Sequence, residues 1–292
     1  MRSGVEQVAE NFTGVLAVAA RAEDSGEELA LDWDRVMPTA SVIKLAILAE
    51  VFRQEDAGAL SLGEPITLDE ANRAGGSGVL KDLSAGLTLP LVDYATLMIT
   101  VSDNSATNAL IDRLGGVEAV NRFMGQVLGL ETIRLNRKVT IAPSADPAGG
   151  RPPLGEASPR HLMELVSLIW QRKLVSPRAS EHMLRILGRQ QYLDQVPRLL
   201  ECQLLATRTE PPAGIAVANK TGMADGARAD AGLLLLSGRP VSYAVMSVSL
   251  DTTLHADHDG MLANAAVGVV IAERLWPGPG RPPVRAAGAV GR

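Results

Sequence analysis

The chain is 292 residues long, 46% hydrophobic and 21% charged, with a formal net charge of -5; these values exclude a disordered or fibrous protein and leave one large domain or two lobes. An acidic balance without any long Lys/Arg run argues against nucleic acid or an anionic membrane as the main partner, and favours small molecules or peptides. Cys202 is the single cysteine, so no intrachain disulfide can form, and it is expected to pack as a small hydrophobe.

The opening Met1-Arg2-Ser3-Gly4-Val5-Glu6 lacks the basic-then-apolar order of a secretory signal. No apolar run reaches the roughly 20 residues that a membrane span requires. The expected compartment is therefore the cytoplasm as the sequence is written, or the periplasm or exterior if a leader has been removed. A monomer is expected, without membrane or nucleic-acid partners.

In chain order, residues 5–12 form an amphipathic helix candidate and residues 13–20 a buried strand. After the turn Glu23-Asp24-Ser25-Gly26, residues 28–33 return as a second strand, so the chain opens on a hairpin. From residue 41 to about 187 the periodicity is helical, with runs at 42–54, 90–100, 104–114, 116–128 and 159–173 and no strand expected. Between the first two runs lies the glycine-rich 74–80, which neither follows a strand nor carries the P-loop lysine spacing; it reads as a tight loop lining a cleft rather than a phosphate cradle. Residues 135–157 are irregular and end at Ser158-Pro159, a serine cap before a helix. Strands are expected at 214–221, 231–237 and 241–250, forming a three-stranded meander, followed by a helix at 261–276 and a disordered tail at 277–292.

Strands at both ends and helices between them predict an α+β fold: an antiparallel sheet built from both chain ends and flanked by helices, with an inserted all-helical lobe. The expected division is 1–40 with 205–276 for the sheet lobe and 41–204 for the helical lobe. The cleft should lie between the lobes.

Three short motifs fall where such a cleft needs them. Ser41 and Lys44, three residues apart at the start of a helical run, share one face, and a lysine of lowered pKa can activate a serine hydroxyl. Ser102-Asp103-Asn104 stands at a junction of helical runs, and Lys220-Thr221-Gly222 ends a strand. Taken singly, the first pair reads as a solvated helix face and the last as a strand entering a turn. Together they use two of the chain's five lysines, in the order found in one group of serine enzymes. From about Phe12 to Trp276, and most closely along the run from Leu91 to Asn108, the chain resembles the class A serine beta-lactamases and the penicillin-binding proteins that share their fold.

That resemblance implies roles. Ser41 would attack a carbonyl to form an acyl-enzyme, with Lys44 as its base and Ser102 relaying a proton to the leaving nitrogen. Asn104 would hold Lys44 and the substrate amide, and Lys220 and Thr221 would meet a substrate carboxylate. Gly222 would let substrate lie against the strand edge, and the backbone N–H groups of Ser41 and Met223 would form the oxyanion hole. Arg228 would reach the substrate carboxylate or form a structural pair with Asp230. No cofactor and no metal are implied, and the substrate is a beta-lactam or a related amide or ester.

One feature of the family is missing. Class A enzymes usually carry a Glu-x-x-Leu-Asn pattern on an omega-shaped loop, whose glutamate activates the deacylating water. Matching Asn136-Arg137 to the start of that loop puts Val139 at the glutamate position and Pro143 at the asparagine, with Asp146 and Glu156 as nearby carboxylates and Glu156 as a weak substitute base. Acylation should then outpace deacylation. The alternatives are a penicillin-binding DD-peptidase or esterase, a non-turnover receptor or acyl trap, and a degenerate fold kept for partner binding. His255, Asp257, His258 and Asp259 read as a solvated helix start rather than metal ligands, and His161 and His182 as surface or interlobe residues.

Overall fold

The computed structural model describes residues 3–140, 152–205, 214–253, 255 and 257–285. Helix α1 (Gly4–Asn11) is opened by a capping box between Ser3 and Glu6. The hairpin β1 (Gly14–Ala22) and β2 (Glu28–Leu31) follows as expected, with Val18 opposite Leu31. After the two-residue β3 (Met37–Pro38) comes a 3-10 turn, Ala40–Ile43, which feeds α2 (Lys44–Asp56). Every residue from Lys44 to Phe52 is buried, so α2 is the central helix of the inserted region, apolar nearly all round as a core helix must be.

The middle of the chain is not purely helical. β4 (Pro65–Thr67) pairs with β5 (Thr88–Pro90) around the glycine-rich loop. Helices α3 (Leu91–Thr100), α4 (Asn104–Arg113) and α5 (Val117–Arg122) then lead to β6 (Arg134–Leu135). β7 (Gly155–Ala157) pairs with both β6 and β3, which ties the approach to Ser41 to the end of the irregular segment. These strands span two or three residues, too few to show a period of two in the sequence. Helix α6 (Pro159–Trp170), capped by Ser158, packs on β1, so it covers the sheet although it falls inside the stretch expected to be the helical lobe. Helix α7 (Pro177–Leu187) packs against α2 and α3.

The last part of the chain completes the sheet: β8 (Cys202–Leu204), β9 (Ile215–Ala224), β10 (Ala227–Leu236) and β11 (Arg239–Ser249), then α8 (Asp259–Leu275). The strand order is β2-β1-β11-β10-β9-β8, so the first hairpin docks on the last strand, with Gly14 opposite Ser249 and Ala22 opposite Val241. The sheet built from both chain ends is therefore present. Its edge departs from the expected antiparallel pattern, because β8 runs parallel to β9.

Helices cover both faces, which is why every residue of β10 is buried and the strands read as nearly continuous apolar runs. The face towards α2 carries Ala17, Ala19, Ala218, Ala229, Ala231 and Ala244, small side chains that let the Ser41 turn approach the sheet closely. The opposite face carries Val18, Val217, Leu234 and Val245 against Val267 and Ile271 of α8, each burial worth roughly 1.5–3 kcal/mol.

Of the tail expected to be disordered, residues 277–285 are placed, and 286–292 lie outside the described residues. Val284 bridges to Leu200, Glu201 N–H donates to the Pro283 carbonyl at 2.9 Å, and Arg285 N–H donates to the Leu199 carbonyl at 2.8 Å. Proline fixes φ, so a proline-rich strip can lie extended along an edge without losing the entropy a flexible chain would lose. Among the described residues no helix is long and apolar enough to cross a membrane.

Candidate active site

The site begins where the chain enters α2. Ala40 sits at φ +45°, a region that costs a residue with a Cβ, and the bend presents Ser41 at the start of the 3-10 turn. The Ser41 hydroxyl has no hydrogen-bond partner among the described residues, and Ser41 lines a cleft of about 150 Å³ together with Ser102, Thr221 and Met223. Two backbone anchors hold the bend: Thr39 N–H donates to Gly155 O and Val42 N–H to Thr39 O, both at 3.0 Å.

Strand β9 presses directly on this bend. A Cβ placed on Gly222 would stand 2.5 Å from Thr39 O, 2.9 Å from Ser41 N and 3.0 Å from Val42 N. The glycine is thus required by contact between two backbones of the protein, whereas the sequence suggested contact with substrate. Residue 223 is thereby set beside Ser41, and its side chain is 46% exposed at the cleft.

Lys44 is fully buried. Its Nζ donates to Ser102 O at 2.8 Å, Ser102 Oγ at 3.2 Å and Asn104 Oδ1 at 2.9 Å. Burial, and secondly the charge of Lys220, hold its pKa well below the ordinary lysine value, against a smaller opposing pull from Asp103. A lysine in this state gives up its proton more readily than an ordinary one and can take one back.

The Ser102-Asp103-Asn104 turn is held from outside by the glycine-rich loop. Ser102 is at φ +55°. Asp103 caps α4 through Ala106 N–H at 2.9 Å, and its other oxygen takes the N–H groups of Val79 at 2.7 Å and Leu80 at 2.9 Å. Asn104 donates its backbone N–H to Ser77 O at 3.1 Å and its side-chain amide to Gly75 O at 2.8 Å. Gly78, at φ +101°, allows this closeness, since a Cβ there would stand 2.3 Å from the Asp103 carboxyl. The loop therefore wraps the turn, and Ser77 lines the cleft.

Lys220 approaches from the sheet side, buried, with its ammonium donating to Thr221 O at 2.6 Å; burial brings its pKa down to about 7, opposed by Asp230 and Asp194. Behind it Asp230 accepts from Asn219 Nδ2 at 2.9 Å, Tyr243 OH at 3.1 Å and Val196 N–H at 3.1 Å, and burial raises its pKa to about 7. The Arg228–Asp230 pair suggested by the sequence does not form. Arg228 instead donates to the carbonyls of Ala224, Ala227 and Thr253, which tie the β9–β10 turn to the segment after β11.

Several residues in the site were not singled out by the sequence. Gln190 Nε2 donates to Ile99 O at 3.0 Å and Asn219 O at 3.2 Å, which joins the helical region to β9. Gln195 Nε2 donates to Gly222 O at 3.1 Å, and Gln195 Oε1 accepts from Asn264 Nδ2 at 2.8 Å. Tyr192, Asp194 and Gln195 line the cleft. Their only signal was a polar run between α7 and β8, which looks the same in sequence whether it is solvated or buried.

Asn108 clamps Val139, which is not among the cleft-lining residues: Asn108 Nδ2 donates to Val139 O and Val139 N–H to Asn108 Oδ1, both at 2.8 Å. Glu156 lies in β7, with Asn136 Nδ2 3.4 Å from its carboxylate, and it does not line the cleft. Asp146 and Pro143 fall outside the described residues. Among the described residues that line the cleft, Asp194 is the only carboxylate. No group of three or more His, Cys, Asp or Glu among the described residues could hold a metal ion. His258 is buried and caps α8, its Nδ1 accepting from Gly260 N–H at 2.9 Å, so it is not part of a solvated helix start. His161 Nδ1 bonds Thr132 Oγ1 at 2.8 Å, and His182 packs on Phe52 with ring centroids 5.1 Å apart.

A mixed α/β fold, with a Ser-x-x-Lys turn, a Ser-Asp-Asn turn and a Lys-Thr-Gly strand converging on one cleft, defines a serine hydrolase of the class A beta-lactamase type. The comparisons agree: residues 1–275 match the model of the beta-lactamase enzyme family, and the chain belongs to that family. A beta-lactamase of Streptomyces albus G is 30% identical over 274 residues, covering 89% of this chain and 80% of the relative. Another, of Streptomyces fradiae, is 31% identical over 241 residues, with 80% and 74% covered. Among solved structures, a beta-lactamase from Sphaerobacter thermophilus superposes with a TM-score of 0.81 at 30% identity, covering 94% of this chain and 98% of its own. PBP-A superposes at 0.74 with 28% identity, covering 91% and 94%.

Proposed function

We propose that this protein forms an acyl-enzyme through Ser41 with beta-lactams or related amides and esters, and that the acyl group leaves slowly. Neutral Lys44 takes the Ser41 proton as Oγ attacks the carbonyl carbon. The proton then passes through the Ser102 hydroxyl to the leaving nitrogen, or to oxygen in an ester, as the carbonyl bond to that atom breaks. The backbone N–H groups of Ser41 and Met223 take the developing oxyanion, and Asn104, Lys220 and Thr221 bind the rest of the substrate. The observation that carries this reading is the buried Lys44, hydrogen-bonded to Ser102 and Asn104 with its pKa held down.

Slow deacylation rests on Val139, clamped by Asn108 in the place of a base for water; a valine accepts no proton. A point mutant of PBP-A was captured as an acyl-enzyme complex with penicillin-G, which makes penicillin G a sensible probe. Intact-mass spectrometry over time, after mixing with penicillin G and with an activated ester, tests the reading with Ser41→Ala as control. A Ser41-dependent adduct that persists for many minutes is expected. Rapid turnover of many equivalents of penicillin by the wild type would refute slow deacylation, and the absence of any adduct would refute the acyl-enzyme. A second reading, a receptor that traps its ligand covalently, is favoured by the same Val139 and predicts an adduct that never decays.

A further inference from the structure

The cleft holds one polar group that the acylation chemistry does not use. Asp194 lies on the segment between α7 and β8, and its Oδ1 is buried without a hydrogen-bond partner. The cations around it are engaged elsewhere. Lys220 donates to Thr221 O, Arg228 to the carbonyls of Ala224, Ala227 and Thr253, and Arg198 pairs with Asp257 at 2.7 Å. An unpaired buried carboxylate oxygen is costly, and a ligand that donates to it recovers that cost.

The position is fixed rather than incidental. Its neighbour Gln195 is bonded to Gly222 O and to Asn264, and the next residue, Val196, donates its N–H to Asp230. The segment is thus anchored to β9, β10 and α8 within two residues of Asp194, and Asp194 lines the same cleft as Ser41. Around it the cleft wall is Tyr192, Met223 and Met261: an aromatic ring and two polarizable thioethers beside a carboxylate. Such a lining suits an alkylammonium group, whose charge meets the carboxylate and the ring face while its carbon chain lies on the methionines.

We propose that Asp194, with Tyr192 and Met261, forms a subsite for a primary ammonium group, and that the preferred substrates are amides or esters carrying one. The use of this subsite in substrate choice rests on acylation at Ser41; the binding of the ammonium does not. Burial raises the Asp194 pKa, with the nearby cations opposing, so an arriving cation relieves a carboxylate that is costly to keep charged.

The test separates the two ideas. Calorimetric titration of Ser41→Ala protein, in which no acyl-enzyme can form, with n-butylammonium and with 1-butanol reads the subsite alone. Ammonium is expected to bind at least tenfold more tightly than the alcohol, and adding Asp194→Asn to remove that preference. Because Asn keeps the shape of Asp, a circular-dichroism melt within a few degrees of the parent will show that folding is not the cause. Equal binding of the two probes, or a preference that survives Asp194→Asn, would overturn the proposal. In Ser41-containing protein, matched activated esters with and without a terminal ammonium then report on substrate choice. The ammonium ester is expected to acylate at least tenfold faster, with the advantage lost in Asp194→Asn. Failure of both esters to acylate would refute the role of Ser41 and leave the titration result standing.

Discussion

Asn104 and Asn108 stand one turn apart on the same face of α4. Asn104 Oδ1 accepts from Lys44 Nζ at 2.9 Å, and Asn108 grips both backbone polar groups of Val139 at 2.8 Å. One helical face thus positions the base proposed for acylation and the residue proposed to leave deacylation without one. Because α4 is capped by Asp103, whose free oxygen also fastens the glycine-rich loop, these contacts depend on a single turn of chain.

The Lys44 geometry predicts a steep dependence on its amine. Lys44→Met should lower the rate of Ser41 acylation by about 10²–10⁴-fold, the usual contribution of a positioned base. In the wild type the rate should rise with pH as Lys44 loses its proton, with a midpoint well below the ordinary lysine value because burial and the Lys220 charge hold that pKa down. Stopped-flow acylation by an activated ester from pH 5 to 10 checks both. A wild-type profile flat across this range, or a Lys44→Met variant that acylates normally, would remove Lys44 from the mechanism.

Gly222→Ala should damage the site through the backbone. The added methyl would meet Thr39 O, Ser41 N and Val42 N, none of which can swing away as a side-chain end can. Overpacking of this kind costs about 1–3 kcal/mol, and a displacement of Ser41 near 1 Å costs about a hundredfold in rate. A lowered Tm together with slowed acylation is expected, whereas an unchanged rate would mean that the bend tolerates the shift.

Stability should climb with pH above neutrality on account of Lys220. Its folded pKa, about 7, lies below the unfolded value near 10.5. Between the two the unfolded chain binds more protons, so the contribution is full above the unfolded value and is lost as pH falls through about 7. Urea denaturation from pH 7 to 10 should show the rise, and Lys220→Met should reduce it, the remainder coming from Lys44, whose pKa is also lowered. A wild-type curve that falls over this interval would contradict the depressed pKa.

The three motifs were legible because each is set by local spacing: Ser41 and Lys44 by a helical turn, Ser102 to Asn104 by a helix start, and Lys220 to Gly222 by a strand end. The sheet built from both ends was legible because its strands are long and apolar, and β9, β10 and β11 fall close to the expected positions. What escaped depends on contacts between distant parts of the chain. The reason for Gly222 is the Thr39–Val42 backbone, far away in sequence. Asp194, Gln195 and Gln190 look like any polar linker until β9 and α8 close over them. The Arg228–Asp230 pair was misread because Asp230 finds Asn219, Tyr243 and Val196 N–H, and Arg228 finds backbone carbonyls, which no pattern of charges in the sequence reveals.

Val139→Glu tests the deacylating half of the proposal. Asn108 fixes the Val139 backbone through both its N–H and its C=O, and it shares a face of α4 with Asn104, which accepts from Lys44 of α2. A glutamate there would add a carboxylate to the loop that Asn108 ties to α4, the kind of group that can take a proton from water attacking the acyl carbon. If lack of a base is what holds the acyl group, the penicillin adduct should decay at least tenfold faster in Val139→Glu and turnover should appear, while the rate of adduct formation changes little. Val139→Gln, which fills the same space without a base, should keep the long-lived adduct and so separates proton transfer from a change in loop packing. Because Val139 is half-buried, the glutamate is expected to cost no more than about 1–2 kcal/mol of stability, and a melting curve checks that the loop survives. An adduct equally persistent in wild type, Val139→Glu and Val139→Gln would mean that something other than the missing carboxylate, such as exclusion of water by the bound acyl group, sets its lifetime.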